Sequence, residues 1–260
     1  MNHSTRLHAA LWAGVLAWAA CGGAVAQPLL VVTETTPNSY LQDGKVVGPG
    51  TEVVELTLKR AGFGDYRLEL YPWARAQDLA LREPRVLIFP LARTPERENQ
   101  FRWVGEIQRI RYYLYALPDR TDLKLTQLAD ARGRSIGVVR DDVRQQYLQR
   151  RGFTRLAVSS QPSENLRKLL YRQVDLVPLT EKEAANLCAE ARTECPGLTR
   201  VLALDEVRTS LYMAYSLATP EDIAARTAAA FESVRTDGSL ARIMGATGAS
   251  PGAPPPVAPR

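Results

Sequence analysis

The chain has 260 residues, a formal net charge of +5 at pH 7 and a sequence pI of 9.2. Its basic residues are mainly arginines scattered among acidic ones, and the absence of a basic run argues against a nucleic-acid partner. The length suits one large domain or two small ones.

The N-terminus predicts a secretory signal peptide. Residues 9–20 are apolar, Arg6 is the one charged side chain ahead of the first predicted strand, and Ala24-Val25-Ala26 fits a small-x-small cleavage site. We therefore expect residues 1–26 to be removed and the mature protein to work in the periplasm. A lipoprotein anchor at Cys21 is the alternative.

Removal of this segment would leave a mature chain without histidine, because His3 and His8 are the two histidines of the sequence. A Ser-His-Asp or Cys-His catalytic pair would then be excluded, and the commonest transition-metal ligand would be missing. We expect no metal site, no cofactor and no enzymatic activity. Cys188 and Cys195 would be the remaining cysteines, and in an oxidising compartment we expect them to form a local disulfide, with free thiols as the alternative.

The first half of the mature chain alternates between strand and helix patterns. The segment 34–50, rich in turn residues, predicts a loop or a hairpin after the first strand. Predicted strands cover 29–33, 66–73 and 85–92, and predicted helices cover 51–61 and 75–83. This alternation indicates an α/β layer.

A second alternation follows, and it predicts a second α/β unit. Its strands cover 111–119, 135–140, 156–160 and 174–180, its helices cover 125–133, 141–152, 163–173 and 181–191, and after an extended segment at 207–219 the last helix covers 219–238. Extended connections near 110–117 and 207–218 indicate two lobes with a cleft between them. We expect lobe 1 to comprise 28–109 plus 218–244, lobe 2 to comprise 110–217, and the small, proline-rich residues 245–260 to form a disordered tail.

Three arginines, Arg93, Arg97 and Arg102, stand close together after the buried strand 85–92. Arginines this close repel one another unless they face water, pair with glutamate or bind an anion. A surface ion-pair network, between Arg97 and Glu96 or between Arg93 and Glu98, is one possibility, and an anion site is the other.

Three ordered segments carry a resemblance to a known family. They are a PW-x-RA segment at 72–76, an ARTPERE segment at 92–98 and a variant of GR-x-DL at 171–176, followed by the closing segment 219–245. The chain resembles the family 3 extracytoplasmic solute-binding proteins of the amino-acid-binding type, in a proteobacterial branch. This resemblance implies an α/β fold of the type II periplasmic-binding-protein class, with two lobes joined by two crossing strands and closing on a small molecule.

The resemblance also implies ligand-binding residues. Arg97 matches the arginine of a Thr-x-x-Arg motif that holds the α-carboxylate of the ligand, and a guanidinium is a planar fork that suits a carboxylate. Arg93 is a further candidate. Trp73 would offer an aromatic wall, while Tyr40 and Glu34 would line the lobe 1 side of the cleft.

The start of the helix after strand 135–140 supplies two more candidates. Arg140 and Asp142 stand where backbone N–H groups can meet an anion, although the aspartates there could instead cap the helix. Thr180 occupies the position of the family's aspartate that holds the ligand's α-ammonium, and Ala92 replaces a hydroxyl residue. A threonine supplies no charge, so Glu34, Asp142 or Glu181 would have to take that role.

We accordingly expect a periplasmic solute-binding protein that captures a small polar ligand with a carboxylate, an amino acid or a related compound. The resemblance implies ABC-type uptake through a membrane permease, and we expect a monomer. Two alternatives stay open. One is an enzyme on the same fold, similar to the dehydratases that use cleft carboxylates. The other is a ligand sensor for a separate membrane partner.

Overall fold

The computed structural model describes residues 28–191, 194–207 and 209–245, so the predicted signal peptide and residues 246–260 of the predicted tail lie outside the described part. In chain order the elements are β1 (Leu29–Thr33), β2 (Tyr40–Gln42), β3 (Lys45–Val47), α1 (Pro49–Arg60), β4 (Tyr66–Leu70), α2 (Trp73–Arg82), β5 (Val86–Ala92), β6 (Phe101–Ile110), β7 (Tyr113–Ala116), β8 (Ile136–Val139), α3 (Val143–Arg150), β9 (Leu156–Ser159), α4 (Pro162–Leu170), β10 (Val177–Leu179), α5 (Glu181–Glu190), β11 (Thr199–Ala203), β12 (Thr209–Ser216), α6 (Glu221–Thr236) and α7 (Ser239–Gly245). Short 3₁₀ turns lie at Leu128–Ala131 and Asp205–Val207.

A five-stranded sheet in the order β4-β1-β5-β12-β6 organises the first lobe. Strand β1 is parallel to β4 and β5, whereas β12 is antiparallel to β5 and β6. Every residue of β5 is buried, as expected for a strand with neighbours on both edges and cover on both faces. Helices α1, α6 and α7 pack together, and α6 also covers β6. We call residues 28–110 and 209–245 lobe 1.

The remainder, residues 111–207, is lobe 2. It contains an antiparallel sheet in the order β10-β7-β11 and a parallel pair, β8 with β9. A bridge between Ile136 and Leu176 links the start of β8 to the residue before β10. Helix α4 packs on β8 and β9, and a core cluster that includes Leu114, Ile136, Val138 and Leu148 fills the interior.

The predicted lobe boundary at residue 217 is wrong. Strand β12 pairs along its whole length with β6, from Thr209 opposite Ile110 to Ser216 opposite Phe101, and it also pairs with β5. Its backbone hydrogen bonds therefore belong to the lobe 1 sheet. The connection between the lobes lies before β12, whereas the expected connection at 207–218 included this strand.

Strand β6 was not among the predicted elements. It forms one edge of the lobe 1 sheet, and Gly105 in its middle faces α6 at very short range. A Cβ at residue 105 would lie 2.0 Å from a ring carbon of Phe231, so any larger residue would displace the helix or the ring. The glycine is thus required by the close approach of α6 and not by its own backbone conformation.

The predicted disulfide is confirmed. Cys188, near the end of α5, is bonded to Cys195, and their Cα atoms are 5.3 Å apart, which is within the usual range for a bridge. Across residues 28–191, 194–207 and 209–245, no helix combines the length and the apolar character needed to cross a membrane.

Candidate functional site

A cavity of about 260 Å³ lies in the cleft between the lobes. On the lobe 1 side it is lined by the segment after β1, the start of α2 and the end of β5, and on the lobe 2 side by the first residues of α3 and α5. Strands β1, β5 and β8 all run toward this cleft with their carboxyl ends, which is where open α/β sheets place their ligands. We call this space the inner cavity.

Arg97 is the most unusual residue of the inner cavity, because its side chain is buried with 2% exposure and lacks an acidic partner within 4.0 Å among the described residues. The guanidinium donates to the carbonyl oxygens of Ala92 at 3.3 Å and Asp141 at 3.2 Å, while its buried Nε has no partner in the described part of the chain. Burial lowers the pKa of Arg97. A buried cation without an acidic partner is unfavourable unless an anion pairs with it, and the planar guanidinium suits a carboxylate.

Trp73 lines the inner cavity and holds Arg97 in place. The guanidinium carbon of Arg97 lies 5.4 Å from the centre of the indole ring, and the indole N–H donates to the carbonyl oxygen of Asp141 at 3.0 Å. Asp141 itself adopts a left-handed backbone conformation, with φ of 58°, which turns this carbonyl toward lobe 1 side chains. Trp73 therefore acts as more than an apolar wall, since it shares its hydrogen-bond acceptor with Arg97.

Glu34 is a second ionisable group of lobe 1 that lines the inner cavity. Burial is the main reason that its pKa rises from 4.5 to about 8, and the neighbouring carboxylate of Asp142 raises it further. The positive charges of Arg144 and Arg97 oppose this shift without cancelling it. Glu34 is thus poised to ionise when a cation arrives beside it.

Asp142 also lines the inner cavity, but its carboxylate is already paired. It caps α3 by accepting from the Arg144 backbone N–H at 2.7 Å, and it binds the Arg144 guanidinium through two contacts, from Nε at 2.6 Å and from the terminal nitrogen Nη2 at 3.0 Å. Arg144 reaches Glu183 at 3.3 Å and lies over the ring of Tyr112 at 4.9 Å. Burial opposes the charge on Arg144, yet the two carboxylates outweigh it and hold its pKa well above the ordinary value. Asp142 is therefore engaged by protein groups.

Thr180 lines the inner cavity and caps α5. Its hydroxyl accepts from the Glu183 backbone N–H at 3.1 Å, and the Glu183 carboxylate accepts from the Thr180 backbone N–H at 2.6 Å. This reciprocal capping box uses the threonine oxygen as an acceptor and leaves its O–H as a donor. Thr180 consequently brings no negative charge to a ligand.

Three predicted site residues lie elsewhere. Arg93 pairs with Glu98 through contacts of 2.8 and 2.5 Å, and its guanidinium lies between the rings of Trp103 and Tyr212. Arg140 is exposed and lies outside the walls of the inner cavity. Tyr40, on β2, lines a neighbouring space described below.

Several residues of the inner cavity were missed by sequence reasoning. They are Asn38, Tyr112, Arg144, Lys182 and Glu183. The Asp142-x-Arg144 spacing at a helix start was a signal from which the ion pair between these two residues could have been predicted. Glu183, which also binds Arg144, lies 39 residues after it in the chain, and no local pattern indicates that contact.

No family model matches the chain, and no curated protein matches it. Solved structures do. The sensor domain of a histidine kinase with similarity to periplasmic binding proteins superposes with a TM-score of 0.76 at 18% identity, covering 85% of this chain and 95% of its own. The arginine-, lysine-, histidine-binding protein ArtJ from Geobacillus stearothermophilus gives 0.74 at 18% identity, with coverages of 86% and 97%.

The chain has the two-lobed periplasmic-binding-protein fold. A further match within this fold is AbpA from Streptococcus pneumoniae, a substrate-binding protein of an amino acid ABC transporter solved with L-arginine, with a TM-score of 0.70 and 17% identity over 84% of this chain and 93% of that one. The matched proteins thus include a substrate-binding protein of an ABC transporter as well as the sensor domain of a histidine kinase. The fold prediction is confirmed, and the inner cavity lies in the cleft that defines this fold.

Proposed function

We propose that the protein binds a small zwitterion, an α-amino acid or a close relative, in the inner cavity. The observation that carries this proposal is the buried guanidinium of Arg97, which lines the cavity without an ion pair among the described residues. A ligand carboxylate would pair with this guanidinium. A ligand ammonium would pair with the ionised form of Glu34, which takes over the role that Thr180 cannot fill. Both charged contacts would then come from lobe 1.

The wider role follows from this binding site. We propose a periplasmic solute-binding protein of the proteobacterial family 3 branch, which works as a monomer without a cofactor, is not an enzyme and delivers its ligand to an ABC-type permease. The likeness to AbpA supports transport, and the likeness to ArtJ supports an amino acid as the ligand. The likeness to a histidine kinase sensor domain supports the second candidate, a ligand sensor for a separate membrane partner.

A ligand screen by thermal shift tests the binding proposal. Amino acids, dicarboxylates and polyamines are each added to the purified mature protein. A ligand at a hundredfold excess over its Kd stabilises the folded state by about 2.7 kcal/mol, which corresponds to roughly 5–10 °C in Tm for a chain of this size. We expect hits that carry both a carboxylate and a cation. Hits confined to polyamines would contradict the role of Arg97. Chemical conversion of a hit, detected by mass spectrometry, would show that the protein is an enzyme and would contradict the proposal of a binding protein.

The affinity for a zwitterionic hit should depend on pH through Glu34. Below pH 8 the carboxyl of Glu34 is mainly protonated, so a ligand ammonium binds only as the proton leaves. The Kd measured by calorimetry should therefore fall as the pH rises from about 6 toward 8, by up to about tenfold per unit, and then level off. Ligand affinity therefore increases with pH, whereas the stability of the ligand-free protein should decrease. Its free energy of unfolding should fall as pH rises between 4.5 and 8, because the folded state keeps a proton on Glu34 that the unfolded state has lost.

Glu34→Gln is the matched variant for this titration, because it keeps the shape of the side chain and cannot ionise. It should bind the hit weakly and with a Kd that stays flat over the same range. A wild-type Kd that is equally flat would show that no ligand cation meets Glu34.

A further inference from the structure

A second chamber, of about 650 Å³, adjoins the inner cavity. On lobe 1 it is bounded by the β2–β3 hairpin and the start of α1, and on lobe 2 by the start of α4 and one face along the length of α5. Thr36, Pro37, Lys182 and Glu183 line both spaces. We call this second space the outer chamber.

One side chain contact marks the boundary between the two spaces. The ammonium group of Lys182 donates to the side-chain oxygen of Asn38 at 3.3 Å, across the cleft. The backbone of Asn38 is fixed in place. Its carbonyl accepts from two backbone N–H groups at the start of α1, and the Gly48 backbone packs so closely against it that a Cβ at residue 48 would lie 2.5 Å from the carbonyl oxygen. Lys182 is a flexible four-carbon stem, so the partition has one fixed side and one movable side.

The volumes favour a ligand that occupies both spaces. Pockets that bury a small-molecule ligand usually measure about 300–1,000 Å³. The inner cavity alone, at about 260 Å³, falls below that range, and the addition of the outer chamber at about 650 Å³ brings the combined volume within it. A compact amino-acid head would fill the inner cavity and leave the outer chamber for whatever extends from it.

The walls of the outer chamber indicate the chemistry of that extension. Leu41, which is 63% exposed, faces the chamber together with Pro162 and Leu187. Three carboxamides stand among these apolar groups, on Gln42, Gln161 and Asn186, and none of them makes a side-chain hydrogen bond to another residue in the described ranges.

The charges in the outer chamber favour a neutral extension. Glu183 is paired with Arg144, which leaves one carboxylate, on Glu190, and one ammonium, on Lys182, among the walls. A neutral tail that combines an amide with an apolar chain would bury its carbon atoms on the leucines and pair its amide with the free carboxamides.

We propose that the outer chamber is a specificity subsite for the side chain of the same ligand, and that this ligand is an α-amino acid extended by an amide-linked apolar group. The inference rests on the proposed function, in which Arg97 and Glu34 hold the carboxylate and the ammonium of the head. Nε-acyl-lysines supply this chemistry and serve as probes.

An acyl-chain series tests the subsite. Norleucine, Nε-acetyl-lysine, Nε-butanoyl-lysine and Nε-hexanoyl-lysine are titrated into the mature protein by calorimetry. Affinity should rise along the acyl series by roughly threefold for each methylene buried. Asn186→Trp, which places a large side chain in the outer chamber, should remove this gain and weaken Nε-hexanoyl-lysine binding at least tenfold, while norleucine binding changes less than about threefold.

Ala185→Trp is the control, because it adds the same side chain to an exposed position of α5 outside both spaces and should leave the whole series unchanged. Equal affinities across the acyl series, or an Asn186→Trp series that matches wild type, would overturn the subsite. If norleucine still binds in that case and Arg97→Ala abolishes its binding, the proposed function stands without the subsite. If norleucine and all three acyl-lysines fail to bind, head recognition and subsite are both overturned.

Discussion

Replacing Arg97 by alanine is expected to abolish ligand binding and to leave the protein folded. The variant removes a buried guanidinium whose polar contacts in the described part of the chain are two backbone carbonyls and whose Nε is unused. Loss of a bidentate charged contact should weaken binding by at least ~2–3 kcal/mol, which is more than tenfold in Kd. Calorimetry with a hit from the thermal-shift screen measures the affinity, and circular dichroism checks the fold.

Two further variants make this test specific. Arg97→Lys should restore binding only in part, because an ammonium is a point charge and cannot reproduce the planar fork. Arg93→Ala is the matched control from the same segment, since Arg93 is paired with Glu98 and lies outside the inner cavity. Its Kd should stay within about twofold of wild type. Normal binding by Arg97→Ala would refute the carboxylate site.

Arg144→Ala should destabilise the folded state by about 3–5 kcal/mol. The side chains of Arg144 and Asp142 are 4% and 7% exposed, and Glu183 is 13% exposed, so removal of the cation leaves two carboxylates in a poorly solvated site with no replacement charge. Stability would be measured by urea unfolding followed by circular dichroism. An alanine variant that does not fold at all agrees with the same argument.

Two further variants distinguish the cost of leaving buried charges unpaired from the simple loss of an ion pair. Arg235 contacts Glu232 with similar geometry, at 2.8 and 2.5 Å, but this pair is on the surface, and Arg235→Ala should leave the urea midpoint unchanged. Combining Asp142→Asn with Arg144→Met removes one uncompensated charge along with the cation and should recover part of the lost stability. An Arg144→Ala midpoint equal to that of wild type would contradict the assignment of this cluster as a structural ion pair.

The fold class was predictable from sequence because it depends on local patterns. Apolar runs such as 29–33 and 85–92 alternate with helical spacing, and this alternation indicates two α/β units whatever the distant contacts are. The hairpin after β1 and the disulfide between Cys188 and Cys195 are also short-range features, and both are present. Arg97 was identified through its motif, in which the residues that define the position are neighbours in the chain.

Strand β6 and the lobe assignment of β12 could not be derived in this way. The segment 101–110 mixes arginine, glutamate and tryptophan, because it is an edge strand whose residues are mostly half-buried, and it therefore lacks the apolar signature of β5. Strand β12 pairs Leu211 with Ala92 and Gln108, more than 100 residues away, and no local pattern records that choice.

The difference between what local sequence determines and what long-range packing determines is clearest for the residues of the cleft. By itself the sequence determined that Glu34, Arg97, Asp142 and Thr180 follow strands or begin helices, because those positions depend on neighbours within one turn or one strand. Only the tertiary structure decided which of these side chains are already bound by other protein groups. Asp142 and Glu183, at the starts of two separate helices, both bind Arg144, whereas Arg97 and Glu34 lie in the cavity without an ion pair among the described residues. Whether a charge is available to a ligand depends on which groups the fold brings within a few ångströms of it, and that is a property of long-range packing.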